Sequence, residues 1–346
     1  MELPLENGKN SIREEEVENA SQSAIREQLA DRRRRLAGAM AVAGSEPDLQ
    51  VLLQEVDAAL ERIDLGTYGL CEVCHDPIEA ELLLADPLAR FCLGDLTSAQ
   101  VQALQEDLAL AAKIQAGLLP KAEMELAGWS TARLYHPLGA VSGDYCDLAP
   151  APDGALFFAM GDVAGKGIAA SMLMAHLQAM VRVLLDGATP LDQLLEKVSR
   201  IFCETTLPAH FATIVCGRAL PSGEVEMANA GHMPPMVVRR GEVVEIGATG
   251  LPVGLFCQAR FTVSKIRLEP GDFLLLYTDG YTEARNSEGE EFGRDRLGAI
   301  LARHSGEEPR DLLATLMGEL GNYRGGAPMT DDLSLMALRR LHGASA

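Results

Sequence analysis

The chain predicts an α+β layered sandwich, and two observations carry that expectation. From Trp129 onward, short β-branched and apolar runs (ALFFAM, FATIVC, PPMVV, EVVEI, DFLLLY and LSLMAL) alternate with turn residues and read as strands. The helical stretches, at 168–186, 191–205, 294–304 and 310–320, are grouped between those runs and do not alternate with them one for one, as a doubly wound sheet would require. Composition agrees: 346 residues, 47% hydrophobic and 23% charged, suit one large globular domain and a smaller one.

Taken in order, the chain opens with a polar stretch containing Pro4 and Gly8, whose first ~10 residues are expected to fray. Residues 11–40 are rich in Glu, Arg, Gln and Ala, with Ile12, Ile25, Leu29 and Leu36 loosely spaced for a helix. Ala43-Gly44-Ser45-Glu46-Pro47 breaks that helix, and a second is expected from Asp48 to Ile63, able to fold back on the first as an antiparallel pair. The basic run Arg32 to Arg35 reads as a solvated helix face. After a cysteine-bearing segment, LTSAQVQALQEDLALAAKIQAGLLP reads as a helix ending at Pro120. Its Val101, Leu104, Leu108, Ala111 and Leu118 have heptad-like spacing, with Gln115 interrupting the seam. That helix either pairs with its copy in a homodimer or packs on its own domain.

A formal charge of −20 and a pI near 4.8 argue against a nucleic-acid binder, whose phosphate contacts need a basic surface. No basic start followed by an apolar stretch marks a signal peptide, and no run of ~18 uninterrupted apolar residues marks a membrane span. A reducing cytoplasm is therefore the expected compartment. Three of the seven cysteines fall between Cys71 and Cys92, which there suggests metal before disulfide.

The chemistry is carried by aspartates at the edges of apolar runs. Asp162 follows ALFFAM, Asp279 follows FLLLY, and Asp331 and Asp332 precede LSLMAL, while Asp144 and Asp147 lie in Gly-Asp-Tyr-Cys-Asp. Strand ends are rigid mounts from which carboxylates can converge. Gathered carboxylates repel one another unless a cation neutralises them, and oxygen-only ligation selects Mg²⁺, Mn²⁺ or Ca²⁺. Two such ions ~3.5–4 Å apart can activate a water for in-line attack on phosphorus. Singly, each motif is weak: Thr278-Asp279-Gly280 is a common hairpin signal, and Gly161-x-x-x-Gly165-Lys166-Gly167 lacks the spacing and the Ser/Thr of a P-loop.

Together, GDYCD, GDVAGKGIAASMLMA, FATIVCG, NAGHMPPMVV, LPVGL, PGDFLLLYTDGYTEARN and DDLSLMAL resemble, in order, the SpoIIE/RsbU-type phosphatases, the bacterial branch of the metal-dependent (PPM) protein phosphatases. The resemblance runs from about Ile114 to Leu338. It implies two packed antiparallel sheets flanked by helices, holding two Mn²⁺ or Mg²⁺ ions at one end. It further implies serine/threonine phosphatase activity on a phosphoprotein, typically an anti-sigma-factor antagonist. Asp162 would bridge both ions with help from the Val163 carbonyl. Asp144 would hold one ion, and Asp279 with Asp331 or its neighbour Asp332 would complete the set. Asp147 is a further candidate, direct or through water. Cys146 reads as a small buried hydrophobe, His232 as a structural histidine beside the Pro-Pro turn, and Lys166 as a loop cap.

Cys71-x₂-Cys74 is followed, after seventeen residues, by Cys92-x₂-Asp95, a zinc-ribbon spacing with aspartate in the fourth place. With the Gly-x-Tyr-Gly lead-in and the Ile-x₄-Leu-x₃-Pro segment, residues 55–96 resemble the DksA/TraR zinc finger. The expected organisation is a helical segment at 1–54, a zinc-binding module at 55–96, a linker helix at 97–120 and a phosphatase domain at 121–342. The competing expectation is a catalytically silent protein that docks on RNA polymerase or another partner through the finger.

Overall fold

The computed structural model describes residues 25–342 apart from 27, 39, 41–46, 80–81, 84–85, 93–97, 186–188 and 207–209. The expected frayed start, the first half of the first expected helix, and Asp95 fall outside the described residues. The chain divides into two compact units, Met1–Val101 and Gln102–Ala346.

In the first unit, α1 (residues 28–38) and α2 (Pro47–Asp64) bury Leu29 and Leu36 from one helix and Leu49, Val56 and Ala59 from the other. The seven-residue steps keep each set on one helix face. Arg26 pairs with Asp64 at 2.6 Å and Arg33 with Asp57 at 2.5 Å, so partner numbers fall as the first numbers rise and the helices run antiparallel. These pairs are about half exposed and fix register more than stability. Beyond α2, buried Tyr68, Cys71, Ile78 and Pro87 make a small core, with the Tyr68 hydroxyl donating to the Pro87 carbonyl at 2.8 Å.

Helix α3 (Ser98–Leu118) precedes the second unit's sheets. One sheet has six strands in the order β1 (Glu123–Leu126), β2 (Trp129–His136), β11 (Leu333–Arg340), β10 (Phe273–Tyr277), β7 (Met236–Arg239) and β8 (Glu242–Glu245). The other has five: β3 (Asp144–Pro150), β4 (Leu156–Val163), β5 (Ala212–Ala219), β6 (Glu224–Ala230) and β9 (Ser264–Arg267). Every neighbouring pair is antiparallel.

Side-chain alternation builds the layers. On β4, Leu156, Phe158 and Met160 join a core shared by both sheets, while Phe157, Ala159 and Val163 pack beneath α4 (Gly167–Leu184) and α5 (Leu191–Thr205). On β10, Leu274 and Leu276 face the shared core. Phe273, Leu275 and Tyr277 meet the short α6 (Asp279–Thr282) together with α7 (Arg294–Arg303) and α8 (Pro309–Arg324). Both faces being buried, these strands read in sequence as unbroken apolar runs. Each large side chain so buried contributes about 1.5–3 kcal/mol. Helix α4 is long and apolar enough to cross a membrane by length and composition, but its Ala170, Met174, Leu177 and Val181 recur every three or four residues and pack on the sheet.

Candidate active site

At one end of the sandwich the shared core changes character. Cys146 on β3, Met160 on β4, Leu276 on β10 and Met336 on β11 are apolar positions of that core. Two residues further along each strand, on the same face, stand Asp144, Asp162, Thr278 and Ser334. Asp144 and Asp162 are register partners on β3 and β4. Like charges opposed in this way are destabilising unless something compensates them.

The other sheet closes over this pair. Thr278 Oγ1 donates to the Asp144 carboxylate at 3.1 Å and Ser334 Oγ at 2.6 Å. Asp279 opens α6, so Thr278-Asp279-Gly280 is a helix start and not the hairpin its sequence suggests alone. A Cβ on Gly280 would stand 1.9 Å from the Asp332 carbonyl oxygen, so only glycine lets this turn meet the Asp331-Asp332 segment. Gly161 serves the same end on β4, where a Cβ would meet the Thr213 carbonyl oxygen at 2.5 Å. The Asp332 carboxylate accepts the Leu138 amide at 2.7 Å and the Gly143 amide at 3.1 Å. Asp331 lies 3.0 Å from Lys166 Nζ, which also donates to the Thr330 carbonyl at 2.8 Å. The Val163 carbonyl lies beside Gly143, 3.2 Å from where a Cβ would stand there.

Burial pushes the Asp162 carboxyl well above the usual carboxylate range, and Asp279, Asp144, Asp331 and Asp332 push it further. Asp144 is raised by burial and then by Asp332, against the Ser334 hydrogen bond. Asp332 is raised chiefly by burial. These mutual couplings place all five carboxyls in one field, with Lys166 in contact with Asp331. No three of them bring ligand oxygens within 4.8 Å of one another among the described residues. A largely sheltered, oxygen-only, acidic donor set of this kind fits hard divalent cations.

Two neighbours, Asp147 and Gln115, differ from a simple reading of the motifs, while His232 and Cys146 agree with it. Asp147 is fully buried but lies an odd number of residues from Asp144, so it faces the helix layer. There Arg182 of α4 grips it from Nε at 2.6 Å and Nη2 at 2.5 Å, and the Tyr145 hydroxyl donates to it at 3.1 Å. It belongs to a structural ion pair and not to the acidic cluster. Gln115, read as a break in the α3 seam, is buried and double-bonded to Ser142: Nε2 donates to its carbonyl at 2.7 Å and its amide donates back at 3.0 Å. It thereby fixes the loop entering Asp144, a role that only an unexpected polar residue in an apolar stripe could have signalled. His232 is buried with Nδ1 2.9 Å from Thr213 Oγ1, and burial takes its pKa down to about 3. A neutral imidazole at working pH is no proton donor to a leaving group. Cys146 is buried, and burial raises its thiol.

In the first unit, Cys71, Cys74 and Cys92 bring their sulfurs within 4.8 Å of one another. Amides of Cys74, Cys92 and Val73 directed at the Cys71 sulfur bring its pKa down to about 6, as suits a thiolate ligand. Three converging thiols fit Zn²⁺, a borderline-soft ion with sulfur affinity.

Known proteins bear on both units. Residues 66–94 match the prokaryotic dksA/traR C4-type zinc finger. The chain is 28% identical over 257 residues to Protein IcfG of Synechocystis sp., covering 66% of this chain and 40% of that protein, so it spans well under half of that relative's length. It is 23% identical over 242 residues to the phosphoserine phosphatase RsbU of Bacillus subtilis, covering 69% of this chain and 71% of RsbU. Its fold is that of the SiaA-PP2C domain of Pseudomonas aeruginosa, with a TM-score of 0.62, 20% identity, and 70% of this chain and 98% of that one covered. The model of stage II sporulation protein E (SpoIIE) matches residues 152–341, more than half of the chain, and the chain belongs to that family.

Proposed function

We propose that the chain is a metal-dependent protein serine/threonine phosphatase acting on a phosphorylated partner protein, an anti-sigma-factor antagonist in bacterial signalling. The carrying observation is the opposed pair at the end of the sandwich, Asp144 buried and Asp162 half-buried, in the field of Asp279 and Asp331. The name of its relative RsbU, a phosphoserine phosphatase, supports the same reaction class.

In this reading Asp144, Asp162, Asp279, Asp331 and the Val163 carbonyl would hold the cations. Two Mn²⁺ or Mg²⁺ ions, when bound, supply the charge that activates water and steadies the phosphoryl oxygens. Asp331, whose oxygens meet the Asp332 amide and Lys166, is the ligand of the pair that the family's motif implies, while Asp332 accepts the Leu138 and Gly143 amides and holds the 138–143 loop. Thr278 and Ser334 orient Asp144 and keep its second sheet in place. Cys71, Cys74 and Cys92, with Asp95 as fourth ligand, hold Zn²⁺ in the finger. Helix α3 exposes Leu104, Leu110 and Ile114, which supports a homodimer through that helix. The protein works in the cytoplasm, with neither nucleic acid nor a membrane as partner.

Purified protein with Mn²⁺ or Mg²⁺ should release phosphate from a phosphoserine peptide, and a chelator should stop it; release that continues unchanged in chelator would sink the reading. The finger match favours one second reading, a silent regulator that docks on RNA polymerase. Recovery of polymerase by the full chain, together with no phosphate release, would favour it.

A further inference from the structure

Two of the seven cysteines are joined: Cys203 on α5 and Cys257 in the segment between β8 and β9, with Cα atoms 5.3 Å apart. Neither belongs to the three-thiol cluster. The bond ends a seam along one face of α5, where residues at helical spacing each hold the same segment. Glu196 pairs with Arg260 at 2.8 Å. Ser199 Oγ accepts the Gly254 amide at 3.2 Å and donates to the Phe256 carbonyl at 3.3 Å. Phe202 packs so closely on Gly254 that a Cβ there would stand 2.5 Å from its ring.

The segment's other edge reaches the candidate site. Val253 and Ala212 exchange backbone hydrogen bonds of 2.8 and 2.9 Å. Ala212 is the register partner of Val163, and the next residue, Thr213, is that of Asp162. The cross-link therefore fastens the segment that borders the strand bearing Asp162's partner. Cys257 is exposed, so oxidants and reductants reach it. In a reducing compartment a reachable pair at bonding distance is one that cycles between thiol and disulfide.

We propose that Cys203 and Cys257 are a redox-modification site, a reversible clamp that locks residues 250–260 onto α5 when oxidised and frees them when reduced. Hydrogen peroxide supplies the closing step: each thiol gives up one proton and one electron, a sulfur–sulfur bond forms, and peroxide leaves as two waters. A small dithiol reverses it by exchange, becoming a disulfide itself.

The test uses the full chain treated with peroxide or with dithiothreitol. Non-reducing peptide mass spectrometry should find the Cys203–Cys257 cross-link in the first sample alone. The bond closes a loop across a sequence separation of 54, so the oxidised second unit should melt about 5–10 °C higher. Amide exchange at Ala212 and Val253 should be at least ~10-fold slower when oxidised, with Leu274 and Leu276 of the other sheet unchanged. In Cys203→Ser/Cys257→Ser protein, which keeps the three-thiol cluster, both redox effects should vanish. A melting shift that persists in that variant overturns the clamp, and so does absence of the linked peptide from peroxide-treated wild type, a result that needs no variant to fold. None of these readouts uses turnover, so the clamp and the phosphatase reading stand or fall separately.

Discussion

The two candidate ligand clusters of this molecule are built on different plans. Cys71, Cys74 and Cys92 come from one short stretch, and the local backbone turns amides onto the Cys71 sulfur, so its thiolate is favoured before any ion arrives. Asp144, Asp162, Asp279 and Asp331 come from four separated segments, and the fold gathers them so that burial and the neighbouring carboxyls disfavour the ionised forms of Asp144 and Asp162. In the thiol cluster amides prepare the Cys71 sulfur while, against the Asp76 backbone hydrogen bond, Cys92 and Cys71 push the Cys74 thiol up to about 11; in the acidic cluster Asp144 and Asp162 are both raised, chiefly by burial. The difference teaches that a local backbone can favour one thiolate, whereas carboxyls gathered from remote segments become harder to ionise.

The strongest way to break this contrast is Asp162→Ala. Turnover should fall by ~10³-fold or more, while the melting temperature in chelator should hold or rise because a repelling carboxyl is gone. Wild-type turnover, or a lower melting temperature in chelator, would refute the assignment. Arg182→Ala should do the reverse. It strands buried Asp147 without its partner and should cost about 3–5 kcal/mol by denaturant unfolding, while the surviving folded protein keeps its turnover within a few-fold.

The pH dependence is next in size. Asp144 and Asp162 have folded pKa values raised above the unfolded ~3.9, so their contribution to stability is complete below that value and is lost as pH rises through the folded values. In chelator the second unit should therefore melt at lower temperature as pH goes from ~5 to ~8, and Mn²⁺ should flatten or reverse the trend. A melting temperature that climbs with pH in chelator would contradict the raised pKa values of this pair. The smallest effect is expected from Gln115→Ala, which removes two hydrogen bonds to Ser142 and should cost about 1–2 kcal/mol with a modest drop in turnover. Unchanged turnover and stability would show that α3 does not help hold the Asp144 loop.

Much of the second unit was readable in advance because its strands are buried on both faces and so appear as short apolar runs with aspartates at their ends. The aspartates at issue separate less easily. Asp144 and Asp147 sit three residues apart in one motif, and nothing in their local sequence says which faces the other sheet; that depends on Cys146 and Leu148 lying in the shared core. Gln115 looked like a flaw in a heptad because its partner, the Ser142 backbone, is remote in sequence. The Cys203–Cys257 link has no spacing signature for the same reason.

By itself the sequence determined the layered α+β class, the order of the family's motifs, the thiol spacing and the identity of the acidic residues, all properties of local pattern and side-chain chemistry. The tertiary structure alone decided which carboxylates oppose one another, that Asp147 is committed to Arg182, that Gly280 must yield to the Asp332 carbonyl, and that α5 is tied to the segment beside the site. Those outcomes depend on which strand faces meet, and the meeting is set by packing between segments far apart in the chain.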